Sequence, residues 1–599
     1  TIDTETPPGI GVFLSVDSSL PELADKNDEA FKLYTDGAGI HVVGKTPIAV
    51  RHGAYTLLEK LGFRWYFSNP VWYVTPDVLQ DLRLDDVQEP YFIQREIGNP
   101  IGYLVAVQGG TVHERDWLRR NRMVGPNYFA ARHSWSEFAP KSAVAAEDPT
   151  GVCYKSDGVT PQQSLPDHPV VVDRAVAYAT QYFTNDKKKH TYIQDVLTQM
   201  AVPISPPDGN MIWCDEWRVH GSYDSQTITD KVFGLTNEVA RFLQQEEPGK
   251  YASVLSYSWY SSIPSYPLEP NVYVQVTDFT RGTDLSLDQR LSSFASKGVM
   301  TGYYGYFDVW PWWKDRIPPE GKYAGFLDTV RLVAQSGART FYVEGSDNWA
   351  PKGRLYWLTS KLTWDPSQDP QTLLDDFYSR AFGPAMEPMK RYYERFDTQP
   401  HTDRVWGLAF QDISDALLLS TGDAPVQERI RQVLYHTYFW WRWGDKIEAG
   451  YTGFDSVDDA KELYSFLWRI KDLQIVTFRA QREALEPVLK SIYGLSDADM
   501  AALQDPTPPS PTDAQAWLEA ALSEWSGQTL VDVSILDPLD SQPFVTAARG
   551  DLPRLSRFKS GRGSELDVVI PSDGSETVEV GFRSSAGYQW IGPDGAILE

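Results

Sequence analysis

The chain of 599 residues contains 42% hydrophobic and 23% charged residues, a balance typical of folded globular proteins, and its length suggests roughly three or four domains. Its formal net charge of −26 argues against nucleic acid or an anionic membrane surface as a partner, because like charges repel. No run approaches the ~20 apolar residues that span a bilayer.

Two cysteines, Cys153 and Cys214, are too few for a disulfide framework or a metal site, although they could form one bridge. We therefore predict neither a metal nor another cofactor. The first residue is Thr1 rather than Met, so we expect that a targeting segment was removed from a secreted, periplasmic or cell-surface protein. The sequence leaves the oligomeric state open.

Residues 1–88 predict a small α/β domain. Strand-like apolar runs lie at 11–16 and 39–43, with the turn-forming pair Asp36-Gly37 between them. Apolar residues at helical spacing follow at 46–61, and Gly62 marks the expected C-terminus of that helix.

Residues 89–360 predict a (β/α)8 barrel, because short apolar runs alternate with amphipathic helical patterns. A doubly wound open sheet is the competing interpretation, but no glycine-rich dinucleotide motif supports it. The predicted helices span 114–123, 170–183, 227–245, 287–295 and 323–335. Seven predicted strands span 91–96, 128–131, 210–213, 251–257, 272–276, 299–306 and 339–343, so an eighth would have to be hidden.

Two further units follow the barrel. Residues 361–500 predict a helical domain, whose large aromatic side chains pack between helices. Residues 501–599 predict a β-rich accessory domain of sandwich type, in which a proline-rich segment at 505–511 and a short helix at 512–525 come first.

Aromatic residues make up 13% of the chain, with 21 Trp and 32 Tyr. Such enrichment is frequent in carbohydrate-active proteins, because the flat apolar face of an aromatic ring can stack on a sugar ring. The composition therefore favours a carbohydrate substrate.

Carboxylates at the ends of predicted strands carry the functional prediction. Hydrolysis of a glycosidic bond needs two carboxyl groups flanking the bond, and active sites of parallel barrels lie at the C-terminal ends of the strands. A single acid there is most simply a solvated loop residue, whereas four such sites favour catalysis. The four sites are Asp215-Glu216, Asp278, Asp308 and Glu344.

The segment Trp213-Cys214-Asp215-Glu216-Trp217 is the most suggestive of the four sites. A carboxyl group beside apolar rings keeps its proton closer to neutral pH, which suits a general acid. We predict that Glu216 is the general acid and Asp215 a positioning group. Asp308 and Glu344 are the candidates for base or nucleophile.

Polar and aromatic residues at the same strand ends are predicted to bind the substrate. Arg132 could bind a sugar carboxylate or pair with a nearby acid, and His133 could be a hydrogen-bonded core residue. The predicted substrate-binding residues are Arg132, His133, Trp213, Trp217, Tyr257, Trp259, Asp278, Tyr303, Trp310, Trp312 and Trp349.

A family resemblance agrees with this interpretation. The stretch 36–66, with Tyr55-Thr56-Leu57-Leu58-Glu59 and Gly62-Phe63-Arg64-Trp65, resembles the α/β domain that precedes the barrel in xylan α-glucuronidases and β-N-acetylhexosaminidases. The stretch 356–366 and the run Phe382-Gly383-Pro384-Ala385 resemble uncharacterised bacterial proteins with that domain, a barrel and a helical region. Together the resemblance covers about residues 10–400.

The two enzyme families imply different mechanisms. The α-glucuronidase resemblance implies that Glu216 is the acid and that Asp308 and Glu344 activate water with inversion. The hexosaminidase resemblance implies that Asp215 orients the acetamido group of the substrate while Glu216 is the acid.

Both resemblances predict an exo-acting glycoside hydrolase for a glycan that contains uronic acid or amino sugar. One alternative is a non-catalytic glycan-binding or surface protein on a glycosidase scaffold, which would not need opposed carboxyl groups. A polysaccharide lyase is the other alternative, and it would need a Tyr, His or Lys base.

Overall fold

The computed structural model describes residues 11–79, 82–98, 112–184, 191–192, 195–208, 213–220, 222–309, 312, 314–318, 322–526 and 530, together with four short strands after residue 556. Within these ranges, no helix is long and apolar enough to cross a membrane.

The N-terminal unit is a four-stranded sheet packed on one helix, as predicted. The strands lie in the order Gly11–Val16, Gly39–Gly44, Phe31–Asp36, Asp85–Gln88, of which the first two are parallel. The helix Pro47–Lys60 begins where the Thr46 hydroxyl accepts a hydrogen bond from the Ala49 amide, and its apolar face packs on Phe31, Leu33 and Val42. Two short strands, Arg64–Trp65 and Tyr73–Val74, lead towards the barrel.

A buried ionic network joins this unit to the barrel. The guanidinium of Arg95, on the outer face of a barrel strand, donates to both carboxylate oxygens of Glu29 at 2.5 and 3.1 Å. His52 Nε2 lies 3.0 Å from the same carboxylate, and all three side chains are at most 3% exposed. Burial alone would raise the pKa of Glu29, but Arg95 and His52 together outweigh burial and hold the pKa at about 2.

The barrel is confirmed as an α/β barrel of seven parallel strands. We number the barrel strands one to seven along the chain, and in space they follow the order one, seven, six, five, four, three, two. At the seam, the Phe129 amide of strand two donates to Gln94 Oε1 of strand one at 2.7 Å, so the sheet is nearly closed. The strands are Gln94–Gly98, Asn127–Phe129, Thr198–Pro203, Tyr251–Ser258, Val272–Thr280, Met300–Tyr306 and Thr340–Glu344.

The helices around the barrel follow the sequence prediction closely, with differences of up to three residues at their ends. Two short helices and three small hairpins interrupt the alternation between the second and fourth strands. The hairpins are Val152–Tyr154 with Pro161–Ser164, Thr191–Tyr192 with Asp195–Val196, and Arg218–Val219 with Ser222–Tyr223. The helices are Val112–Arg120, Trp135–Phe138, Lys141–Glu147, Pro169–Thr184, Ser225–Glu246, Leu287–Ser296, Lys322–Gln335 and Trp349–Trp364.

The third strand of the barrel lies at a position that the sequence did not predict. The third strand is Thr198–Pro203 rather than 210–213, and Trp213 belongs to no strand, while residues 209–212 lie outside the described ranges. The sequence has prolines at positions 203, 206 and 207. Such a pattern is typical of a loop, because proline has no amide hydrogen to donate to a neighbouring strand. Pro203 is accommodated because it is the last residue of the strand.

The helical region is confirmed, and it extends beyond residue 500. The helix Pro511–Ser523, assigned from the sequence to the C-terminal unit, packs on Ala424–Glu448, with the Trp517 and Tyr435 rings 5.7 Å apart. Most of the predicted β-sandwich lies outside the described residues, apart from strands Arg557–Lys559, Glu565–Asp567, Trp590–Ile591 and Ile597–Leu598. The helices of this region are Pro370–Phe382, Met386–Thr398, Asp403–Leu419, Ala424–Glu448, Val457–Ile470, Phe478–Ser491, Asp497–Ala502 and Pro511–Ser523.

Candidate active site

The interior face of the barrel can be read from strand alternation. Strand six lies between strands five and seven, yet Tyr273 Oη of strand five and Thr340 Oγ1 of strand seven are 2.6 Å apart. The two side chains can meet in this way only inside the barrel, so both face the interior. Every second residue of a strand points to the same face, which places Tyr342 and Glu344 on the interior as well. Glu344 is the last residue of its strand and therefore lies at the C-terminal mouth.

Glu344 is a half-buried carboxyl group with one strong hydrogen-bond donor. Burial raises its pKa, the hydroxyl of Tyr304 donates to it and opposes that rise, and the negative charge of Asp208 raises the pKa further. Strand register places Tyr306 beside Glu344 and Tyr304 two pairs below it, on the same interior face. Glu344 is thus a strand-end acid that holds its proton more tightly than a solvated glutamate does.

A second carboxylate, Asp208, faces Glu344 from the segment that follows the third strand. The hydroxyl of Tyr257 donates to Asp208 at 3.0 Å, and His133 Nε2 lies 3.9 Å from the same carboxylate. Asp208 is exposed, and its negative charge raises the pKa values of Tyr257, Tyr306 and Glu344. These side chains therefore lie close to Asp208 at the mouth of the barrel. We did not predict Asp208 from the sequence, although Asp208-Gly209 after the apolar run at 201–204 was a usable signal.

Asp278 and Tyr303 form a third polar group near the mouth. The Tyr303 hydroxyl donates to Asp278 at 2.5 Å, and the negative charge of Asp278 contributes to raising the pKa of Tyr306. Asp278 is open to solvent on one side, but the protein packed around its other sides raises its pKa. These two residues, each predicted separately to bind the substrate, therefore contact each other, with Tyr303 on the outer face of its strand and only Asp278 reaching solvent.

An exposed indole stands beside the interior tyrosines. The Trp312 and Tyr306 rings are 5.3 Å apart, and Trp312 is 59% exposed. Such a ring offers an apolar face on which a pyranose could stack. The neighbouring predicted residue Trp310 lies outside the described residues.

The placement expected for Glu216 is wrong. Asp215 and Glu216 are exposed in the short 3-10 turn Asp215–Trp217, and Asp215 pairs with Arg218 at 3.1 Å. Trp213 and Trp217 are buried instead of flanking the acids with open faces. The indoles turn into the core because burial of a tryptophan is favourable, which leaves the two carboxylates in water rather than in an apolar pocket.

Asp308 is also placed differently from the expectation. Its side chain is fully buried and accepts a 2.6 Å hydrogen bond from Asn348 Nδ2. Burial raises its pKa, while the nearby ammonium of Lys352 lowers it. In this arrangement Asp308 has no access to a substrate.

Three predicted substrate-binding residues have structural contacts instead. Arg132 forms an ion pair with Glu137, which is the alternative that the sequence left open. Trp259 packs on Tyr223 with ring centroids 5.6 Å apart. Trp349 is fully buried against Trp117 at 4.7 Å. The predicted residues that come together at or beside the mouth are His133, Tyr257, Asp278, Tyr303, Trp312 and Glu344.

The two cysteines form a disulfide bond that holds the segment after the third strand. Cys153, in the hairpin Val152–Tyr154, is bonded to Cys214, with their Cα atoms 5.8 Å apart. The amide of Gln162 in the same hairpin donates to the Trp213 carbonyl at 2.6 Å. The segment that carries Asp208 is therefore anchored to the hairpin within six residues of that carboxylate.

Removal of this disulfide is expected to destabilise the protein. Replacing both cysteines, Cys153→Ser with Cys214→Ser, frees a loop of 61 residues, which by loop entropy costs about 4 kcal/mol. The urea midpoint of unfolding should fall in the double variant and, to a similar extent, in wild type treated with dithiothreitol. Equal midpoints for oxidised wild type and the double variant would contradict this prediction.

Among the described residues, no group of three or more His, Cys, Asp or Glu side chains is arranged to hold a metal ion.

One family model matches part of the chain. Residues 190–395, about a third of the chain, match a model described as a domain of unknown function, DUF4838. No curated protein matches the chain.

Several solved structures are similar to the chain at 10–12% identity. One is a family 89 glycoside hydrolase from Clostridium perfringens in complex with its substrate GlcNAc-alpha-1,4-galactose, at a TM-score of 0.48 and 11% identity over 87% of this chain and 75% of that chain. Another is a GH138 enzyme targeting pectin rhamnogalacturonan II, at 0.40 and 11% over 86% and 74%. CpGH84B is similar at 0.36 and 12% over 83% of each chain.

Proposed function

We propose that the protein is a glycoside hydrolase in which Glu344 and Asp208 are the catalytic carboxyl groups. The observation that carries the proposal is their contrast in environment, since Glu344 is half-buried with a raised pKa and Asp208 is a solvated carboxylate whose charge acts on it. A pair of carboxyl groups held in different protonation states is what glycoside hydrolysis requires.

The proposed roles follow from that contrast. Glu344, which retains its proton more readily, donates it to the oxygen of the leaving group. Asp208 either attacks the anomeric carbon or takes a proton from the attacking water, and the Tyr257 hydroxyl orients it. The open face of Trp312 holds the sugar ring beside Tyr306.

We further propose that the enzyme removes terminal residues from a glycan and that an acidic sugar is favoured over an amino sugar. Arg281 supports this preference, because it is exposed close to Tyr257 and makes no ion pair within the part of the chain that the structure describes. An exposed guanidinium at the edge of the mouth suits an anionic substituent of the substrate.

The alternatives fit the mouth less well. A purely glycan-binding protein would have no need of a half-buried carboxyl group close to a solvated one. A lyase with a tyrosine base would need a phenol that loses its proton readily, whereas burial raises the pKa of both Tyr257 and Tyr306. The disulfide between Cys153 and Cys214 supports a proposed secreted, periplasmic or cell-surface location, because such bonds persist in oxidising compartments.

The test is an activity screen in which Asp208→Asn is the control enzyme. Aryl uronides, aryl N-acetylhexosaminides and neutral aryl hexosides in both anomeric forms are offered, and the product anomer is read by NMR. We expect turnover by wild type and a loss of about 10²-fold or more in Asp208→Asn, because the charged carboxylate of the pair is gone. Absence of turnover on every glycoside, or equal rates in both proteins, would contradict the proposal.

A further inference from the structure

The imidazole of His133 lies against Asp208 at the mouth of the barrel. His133 follows strand two and forms a parallel bridge with Ser205, which follows strand three. Its Nε2 atom is 3.9 Å from Oδ1 of Asp208, and its ring packs edge-on against Tyr257 with centroids 5.6 Å apart. The side chains of His133 and Asp208 are 33% and 67% exposed, so both can be reached from solvent.

The other ring nitrogen of His133 is fixed by the backbone. Nδ1 is hydrogen-bonded to the carbonyl oxygen of Pro206. A carbonyl oxygen can only accept, so Nδ1 carries the hydrogen. A neutral imidazole has one hydrogen for its two nitrogens, which leaves Nε2 with a lone pair. The neutral ring therefore presents a hydrogen-bond acceptor towards Asp208.

Two acceptors thus face each other across a gap of defined width. The carboxylate of Asp208 is itself an acceptor, and the Tyr257 hydroxyl already donates to its Oδ1 at 3.0 Å. The 3.9 Å between Nε2 and Oδ1 is too long for a direct hydrogen bond. Two acceptors that each take one hydrogen of the same water, at about 2.8 Å from its oxygen, are roughly 4 Å apart.

The spacing suits water better than a sugar hydroxyl. A water molecule has two hydrogens and satisfies both acceptors at once, whereas a hydroxyl has one hydrogen and satisfies only one of them. A water that donates both hydrogens to His133 and Asp208 keeps the lone pairs of its oxygen free to face the substrate.

We propose that His133 is a catalytic residue that binds the attacking water together with Asp208. This inference rests on the proposed function and narrows it, because it makes Asp208 the base that activates water rather than the nucleophile.

The reaction then balances as a single displacement. The water oxygen forms a bond to the anomeric carbon while the bond from that carbon to the leaving oxygen breaks. Glu344 gives its proton to the leaving oxygen, and Asp208 takes one proton from the water. The second hydrogen of the water, bound to Nε2 of His133, remains on the product as its new hydroxyl. Attack and departure occur on opposite faces of the sugar, so the product has the inverted anomeric configuration.

The first test reads the tautomer of His133 and needs no substrate. A charged ring, or the other neutral tautomer, would carry a hydrogen on Nε2 and donate it towards Asp208, leaving no acceptor for the water. Solid-state NMR of the protein labelled with 15N-histidine, at about pH 9 where a solvated imidazole is neutral, distinguishes the two nitrogens. The chain has nine histidines, and the signal lost in His133→Asn assigns the ring. We expect the hydrogen on Nδ1, and a hydrogen on Nε2 would overturn the inference.

The second test compares two substitutions of His133. In His133→Asn the side-chain amide can still donate to Pro206 but ends short of the position of Nε2. In His133→Gln the side chain is long enough to place its carbonyl oxygen near that position, where it can accept from the water. We expect kcat to fall about 10–10²-fold in His133→Asn with KM little changed, because only the attacking water is misplaced. His133→Gln should recover part of the loss.

His220→Asn is the matched control. His220 is exposed and has a φ of 49°, a conformation that asparagine adopts readily. This variant should retain the wild-type kcat, and equal thermal midpoints for the three variants and wild type show that all are folded.

The product anomer separates this inference from the proposed function. Release of the inverted anomer, read by NMR early in the reaction, supports the water held by His133 and Asp208. Release of the retained anomer, or equal kcat values for His133→Asn and wild type, would overturn the inference and leave the glycoside hydrolase with Asp208 as nucleophile. Absence of turnover on every glycoside would contradict the proposed function, and the role of His133 in turnover with it.

Discussion

Glu344→Gln is expected to lower kcat/KM by about 10²–10⁴-fold, because the amide cannot donate a proton to the leaving group. Glutamine can still accept the hydrogen bond of Tyr304, so the fold and substrate binding should be preserved. Steady-state kinetics on the substrate found by the screen measures the loss. Circular dichroism and the thermal midpoint show whether the variant is folded.

The leaving group makes this prediction specific to a general acid. A dinitrophenyl glycoside needs little protonation of its leaving group, so Glu344→Gln should lose far less activity on it than on a glycoside with an alkyl leaving group. Asp208→Asn should lose activity on both kinds of substrate.

Glu216→Gln is the matched control, because Glu216 is the exposed acid that the sequence favoured. We expect this variant to turn over substrate at a rate close to wild type. Abolished turnover in Glu216→Gln with an active Glu344→Gln would reverse the assignment proposed for the mouth.

Glu29→Gln is expected to destabilise the protein by roughly 3–5 kcal/mol, because it leaves the guanidinium of Arg95 buried without a counter-charge. Urea unfolding followed by tryptophan fluorescence measures the change. The control is Glu22→Gln, which breaks the exposed pair with Lys32 in the same unit and should leave the midpoint unchanged. Similar midpoints for Glu29→Gln and wild type would show that the network adds nothing to stability.

The same network gives the stability difference a defined pH dependence. The pKa of Glu29 is about 2 in the folded protein and its ordinary value is 4.5, so its contribution is complete above pH 4.5 and is lost as the pH falls towards 2. The difference in stability between wild type and Glu29→Gln should therefore shrink over that range. A difference that stays constant from pH 6 to pH 3 would show that the charge of Glu29 is not responsible.

Strand-end acids followed by aromatic or glycine residues identified part of the mouth from the sequence. Glu344 and Asp278 were found in this way, because an apolar strand that ends in an acid is a local pattern. Tyr303 was chosen over Tyr304 and Tyr306 although the latter two face the interior. A shift of one residue along a strand reverses the face, and sequence alone did not fix the register.

The sequence favoured Glu216 and missed Asp208, because the positions of both residues depend on contacts between segments that are distant in the chain. The strand that leads to Asp208 ends in proline and is identified only by its pairing with strands two and four. Whether Trp213 and Trp217 contact a substrate or pack in the core depends on their neighbours, such as Tyr260, whose ring centroid is 5.7 Å from that of Trp213.

The sequence by itself determined the alternation of strands and helices, the helical region and two of the acids at the mouth, Glu344 and Asp278, because hydrophobic periodicity and proximity along the chain are local properties. Tertiary structure alone decided which acids are buried, which are solvated and which meet across the barrel mouth. The physical reason is that the pKa of a carboxyl group depends on the atoms packed around it, and for Glu344 the groups that act on it, Tyr304 and Asp208, are distant in sequence.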